Sequence, residues 1–209
     1  MTVFDLTHDI REIMPVFPGM SLPKLEKPFK VSTHGYAETL ITMLSHTGTH
    51  MDAPAHMYES GKTLDSYPAS SFIGKAAVID VNGKREIGVE ALKSSEHLIK
   101  GSDFIMFHTG WSKLWGDENY FKNFPALTLE AANWLISSGI KGIGLDCISA
   151  DVAESSDFPI HHILFKEDLL IVENLKNLDK LLGKKFMFSC LPLKYENADG
   201  SPVRAIAWY

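Results

Sequence analysis

Apolar residues rich in β-branched and aromatic side chains cluster at residues 40–44, 76–81, 104–107, 143–145, 169–172, 186–191 and 203–208. Runs of that length and composition predict strands. Helical spacing is found at two places. The first is 89–98, which follows Gly88. The second is 128–138, with Thr128 placed to cap its start and Gly139 just beyond its end. In the second, Leu129, Ala132, Leu135 and Ile136 make the face expected to be buried. Many strands with few helices predict an α/β fold built on a mixed sheet, partly curled into a barrel-like core, in place of a regular parallel alternation. The proline-rich stretch 15–28 reads as an ordered loop able to cover a pocket.

Composition narrows this picture. With 209 residues, 45% of them hydrophobic, the chain can bury one core, so residues 1–209 are expected to form a single domain. The net charge of −6 comes with scattered Lys and Arg and no basic stripe, which argues against a nucleic-acid partner. The opening Val3-Phe-Asp-Leu6 has neither a basic region nor a long apolar run. Neither a signal peptide nor a membrane span is therefore expected, and the cytoplasm is the default location. Cys147 and Cys190 lie in apolar, strand-like stretches and are expected to pack as free thiols.

The candidate chemistry is concentrated in His46-Thr-Gly-Thr-His50-Met-Asp52-Ala-Pro-Ala-His56. Imidazole and carboxylate together suit zinc, manganese or iron, and a carboxylate can bridge two ions. Gly48 permits a turn between the first two histidines, and Pro54 disfavours a continuing helix, so a loop with inward side chains is expected. No Glu follows either histidine, which sets the segment apart from the helical His-Glu-x-x-His site. A metal ion on His46, His50 and Asp52 would keep an open position for water, the arrangement of catalytic zinc. His161 and Glu173 are candidates for a second ion, and His162 competes with His161 because neighbours on a helix point about 100° apart. His56 lies beyond a complete ligand set and is the candidate general acid/base.

The segment resembles the His-x-Gly-Thr-His-x-Asp-x-Pro-x-His signature of the cyclase family of metal-dependent hydrolases, which includes bacterial kynurenine formamidases and has isatin hydrolases as relatives. The likeness extends to Asp5-Leu-Thr-His8, Met14-Pro-Val-Phe-Pro-Gly19, Thr109-Gly-Trp111, Gly142-Ile-Gly-Leu-Asp146, His161-His-Ile-Leu and Ile171-Val-Glu-Asn174. It implies the swivelling β/β/α fold and a homodimer. It also implies two divalent ions, zinc first and manganese as an alternative. Asp52 and Glu173 would touch both ions, His46 and His50 would complete one site, and His161, preferred over His162, the other. The implied activity is hydrolysis of a small amide, N-formylkynurenine in tryptophan degradation, by a metal-activated water, with His56 protonating the leaving nitrogen.

Two positions depart from the formamidase pattern. Phe17 stands where those enzymes carry a substrate-pocket tryptophan, and Asp146-Cys-Ile-Ser-Ala-Asp151 replaces Asp-Thr-Pro-Ser-Val-Asp. An aromatic wall survives the first change, but the indole N–H is lost. Opening of a cyclic amide or lactone, as in isatin hydrolases, is therefore the runner-up activity, and a metal-binding scaffold without catalysis is the reading from another class. His8, His34 and His97 are expected to be structural or surface residues. His108 either borders the pocket or sits satisfied in the core. Glu167 and Asp168 are expected on the solvated surface.

Overall fold

The computed structural model describes residues 1–209. In chain order its strands begin with β1 (Val3–Asp5), β2 (Lys24–Phe29), β3 (Glu38–Thr42), β4 (His50–Asp52), β5 (Ile73–Asp80), β6 (Glu86–Ile87) and β7 (Phe104–His108). They continue with β8 (Ala126–Leu127), β9 (Gly142–Leu145), β10 (Leu170–Glu173), β11 (Lys185–Ser189), β12 (Gly200–Pro202) and β13 (Ile206–Trp208). The α-helices are α1 (Val31–His34), α2 (Val89–Ser94), α3 (Glu96–Ile99), α4 (Leu129–Ile136) and α5 (Pro159–Lys166).

Nine strands make one mixed sheet in the order β1-β13-β11-β5-β7-β9-β10-β4-β12. The four central strands β5, β7, β9 and β10 run parallel, and antiparallel pairs extend the sheet on both sides. The central runs are continuously apolar because both of their faces are buried. Ala77, Ile79, Ile105, Phe107, Ile143 and Ile171 point to one face, where α4 and α5 lie. Ala76, Val78, Phe104, Met106, Leu170 and Val172 alternate to the other. That second face carries no α-helix. Its core joins Met51 of β4 to Ala207 of β13, strands near opposite ends of the sheet order. The sheet curls around this core, which is the partly barrel-like fold expected.

Several elements differ from the sequence reading. The 40–44 run does enter a strand, but β3 covers only its residues 40–42 and pairs only with β2 in an exposed hairpin outside the main sheet, leaving Leu40 and Ile41 about half in solvent at 54% and 52%. The proline-rich loop is likewise shorter than 15–28, because β2 takes Lys24–Phe29. The expected helix 89–98 breaks at Ser95 into α2 and α3. In α4 the Thr128 hydroxyl accepts from Ala131 N, and Gly139 adopts φ +75° beyond the end, both as expected. Its buried face, however, is Ala131, Ala132 and Leu135, while Leu129 is exposed. Leu129 is the first helical residue, two positions before the buried Ala131–Ala132 pair of the same turn.

Candidate metal centre

The signature segment was expected to be a loop, but its middle is a strand. Gly48 turns the chain at φ +67° and β4 begins at once. β4 is only three residues long, yet it is paired on both sides, with β10 and with β12. The period of two then sorts the side chains. His50 and Asp52 point to one face, and Met51 enters the core between them at 0% exposure. The β10 register sets Glu173 directly opposite His50, and Ile171 opposite Asp52. Three of the expected ligands therefore meet across a single strand pair.

Each carboxylate presents one oxygen to each half of the cluster. Asp52 Oδ1 lies 2.6 Å from His46 Nδ1 and 3.1 Å from His50 Nε2, while its Oδ2 lies 3.9 Å from His161 Nε2. Glu173 Oε2 lies 3.6 Å from His50 Nε2, and its Oε1 lies 3.4 Å from His161 Nε2. The donor atoms of His46, His50 and Asp52 are close enough together to hold an ion, and so are those of Asp52, His161 and Glu173. Separations of 3.4 to 3.9 Å between buried groups are too long for good hydrogen bonds and leave room for a cation between them. The donor set fits a divalent metal ion.

His161 reaches the cluster from the first turn of the short helix α5. The chain enters α5 through Phe158 at φ 44° with no capping side chain of its own, followed by Pro159. Asp151 supplies the missing acceptor from the preceding loop. Its Oδ1 accepts from Ile160 N at 2.9 Å, and its Oδ2 accepts from His161 N at 3.1 Å and lies 2.6 Å from His161 Nδ1. One carboxylate thus caps the helix and orients the imidazole, leaving Nε2 to face Glu173. The helix also decides between adjacent histidines: His162 turns away and packs against Tyr58, ring centroids 5.1 Å apart.

Charge on these groups follows from burial and pairing. Burial alone would lower His46, but Asp52 and Asp199 outweigh it and raise its pKa to about 10. Burial is likewise outweighed at His161, where the hydrogen-bonded Asp151 and the nearby Glu173 and Asp52 carboxylates raise it to about 10. Glu173 is pushed up by burial and by the nearby Asp52 charge. Asp52 is held well below the usual carboxylate range: its burial is overcome by His50 and His46. His56 moves the other way, to about 4, because burial and the neighbouring His46 and His161 disfavour its cation. An imidazole that stays neutral beside this cluster is able to accept and return a proton.

These residues face a cavity of about 450 Å³, which the apolar Phe17, Met20, Leu44 and Phe158 line together with His46, His56 and Glu173. His56 packs against His46 with ring centroids 3.8 Å apart and the planes tilted by 31°. Asp199 also lines the cavity, with Oδ2 3.0 Å from His46 Nε2. Nothing in the sequence marked it: it lies 153 residues from His46, in a stretch that reads as a turn. Asp151 was visible only as part of a segment departing from the formamidase pattern. Other candidates fall outside the cavity. Cys147 is a buried free thiol near the Pro125 and Ser149 carbonyls. His8 stacks on Trp115, and His108 is satisfied by Asp80 at 2.9 Å. His34, His97, Glu167 and Asp168 are exposed.

Residues 4–152 match the Cyclase family model. The chain belongs to the cyclase family. Among its cyclase-family relatives, a kynurenine formamidase of Geobacillus thermodenitrificans is 33% identical, the match covering 96% of this chain and 94% of that protein. Isatin hydrolase A from Labrenzia aggregata, solved bound to benzyl benzoate, superposes with a TM-score of 0.89 at 28% identity, covering 99% and 93% of the two chains. A protein of Bacillus stearothermophilus described as a predicted metal-dependent hydrolase gives a TM-score of 0.83 at 28% identity, covering 99% and 97%. The mixed, curled sheet with few helices is thus the fold of these cyclase-family neighbours.

Proposed function

We propose that this chain is a metal-dependent amidohydrolase that cleaves the formamide of N-formylkynurenine. The observation that carries the reading is the pairing of Asp52 and Glu173: Asp52 turns one oxygen toward His46 and His50 and the other toward His161, and Glu173 turns one toward His50 and the other toward His161. Such a donor set supports two divalent ions, with zinc the first choice and manganese acceptable to the same ligands. When bound, the ions would polarise the amide carbonyl and lower the pKa of water toward about 7.

The chain's own residues supply the remainder. His56, neutral in the cavity, takes the proton that the attacking water gives up and returns it to the nitrogen as the C–N bond breaks, leaving formate and a free aromatic amine. Phe17, Met20 and Phe158 offer an apolar surface to an aromatic ring, in a cavity of a size that suits a small molecule. Phe17 lines the cavity and is 36% exposed, so it can contact the ring but donates no hydrogen bond.

A second reading, opening of a cyclic amide, is favoured by Phe17 and by the likeness to isatin hydrolase A. Metal-replete protein assayed side by side on N-formylkynurenine, isatin and simple lactones decides between them. Turnover of isatin alone would reverse the order, and no turnover of any substrate would favour a binding scaffold. Exposed Leu40, Ile41, Val31 and Tyr36 on and around the β2–β3 hairpin support a homodimer. The two unpaired, buried thiols are in keeping with a reducing cytoplasm, and no helix is long and apolar enough to cross a membrane.

A further inference from the structure

Every histidine of the centre has its outward ring nitrogen tied to an acceptor. His50 Nδ1 donates to Gly48 O at 2.8 Å, and His161 Nδ1 lies 2.6 Å from Asp151 Oδ2. For His46 the acceptor is Asp199. His46 Nδ1 faces Asp52 Oδ1 at 2.6 Å, while Nε2 meets Asp199 Oδ2 at 3.0 Å. We propose that Asp199 is a positioning residue that holds the Nε2–H of His46, so that Nδ1 presents its lone pair to the metal. This rests on the reading of His46 as a ligand.

The surroundings of Asp199 are built for that task. Ser45 Oγ donates to Asp199 Oδ2 at 3.2 Å, and Tyr195 Oη donates to Oδ1 at 3.2 Å, so the carboxylate is held from both sides. The next residue, Gly200, lies flush against the His46 ring. A Cβ there would sit 2.4 Å from His46 Cε1, too close for the ring to stay in place. The His56 imidazole packs against the same ring, centroids 3.8 Å apart, so both an imidazole and a bare backbone restrict it. The side chain of Asp199 is 41% exposed, so its removal opens a gap that water can fill and leaves no sealed polar orphan. The fold is therefore expected to survive the substitution.

A rival role is direct ligation, since His46, His56 and Asp199 also bring donor atoms close enough to hold an ion. The two roles differ in stoichiometry. An outer carboxylate tunes affinity, typically by about 10–100-fold, without supplying a coordination bond. Metal-stripped protein is titrated with Zn²⁺ against a chromophoric chelator, for the unaltered chain and for Asp199→Ala, Asp199→Asn, Gly200→Ala and His46→Ala.

The expected result is full stoichiometry in Asp199→Ala, with affinity at one site lowered by about 10–100-fold. Asp199→Asn, which keeps an acceptor oxygen for Nε2–H, should recover part of that loss, and Gly200→Ala should weaken the same site. The unfolding temperature of each metal-free variant is read alongside, so that a collapsed fold is not mistaken for a lost tether. Asp199→Ala binding zinc as tightly as the unaltered protein overturns the proposal. Loss of a whole equivalent, matching His46→Ala, overturns it in favour of direct ligation. If His46→Ala itself retains full stoichiometry, the ligand assignment beneath both roles falls.

Discussion

Asp151→Asn tests the link between helix capping and the metal centre. Asp151 is buried and serves three donors, the N–H groups of Ile160 and His161 and the ring nitrogen of His161. Asn has one acceptor oxygen where Asp has two. Either orientation of the amide turns its NH₂ toward a buried backbone N–H, of Ile160 or of His161. Leaving one such donor unsatisfied costs about 1–3 kcal/mol. For a domain of this size each kcal/mol shifts the midpoint by about 2–4 °C, so metal-free protein should melt roughly 2–12 °C lower. The carboxylate also raises the basicity of His161, and loss of such a partner typically weakens metal binding by about 10–100-fold, or roughly 1.4–2.7 kcal/mol. Thermal unfolding of metal-free protein and chelator competition for zinc read the two effects separately. An unchanged melting temperature together with zinc affinity within about twofold of the unaltered chain would refute the double role.

Further expectations concern pH, catalysis and assembly. His46 and His161 rise to about 10 in the folded metal-free chain from an ordinary 6.5. Their stabilisation is therefore complete below pH 6.5 and is lost as pH rises through about 10, so metal-free melting temperatures should fall across that window; a flat profile contradicts the pairing. Zinc binding near pH 7 must then displace protons, seen as a dependence of the calorimetric enthalpy on the buffer's ionisation heat. His56→Ala should lower kcat by about 10²–10⁴-fold while metal content holds, and loss of metal instead would make His56 a ligand. Leu40→Glu with Ile41→Glu should leave a folded monomer by light scattering if the hairpin joins two copies, whereas an unchanged mass would place the interface elsewhere.

Local chemistry explains which features were legible in the sequence. The apolar runs of β5, β7, β9, β10 and β11 announced themselves because both faces of the central sheet are buried, and Thr128 and Gly139 marked α4 through capping and a left-handed turn. The 40–44 run misled because apolar composition reports a preference for burial without naming the partner. Within the chain, β3 finds only β2. β4 was missed because three residues are too few for a pattern, and its existence depends on β10 and β12, remote in sequence, pairing with it on both sides.

The candidate site divides in the same way. Residue identity and spacing singled out His46, His50, Asp52 and His56, because metal donors are a property of the side chain and these four lie in one short segment, while the resemblance to the cyclase family added His161 and Glu173. Tertiary structure alone set Glu173 opposite His50, turned His161 inward and His162 out, and recruited Asp151 and Asp199 as partners of the imidazoles. Ligand type is written residue by residue, whereas register, helix phase and contacts over more than a hundred residues exist only once the sheet has curled. Orientation and protonation, on which the chemistry depends, come from those contacts.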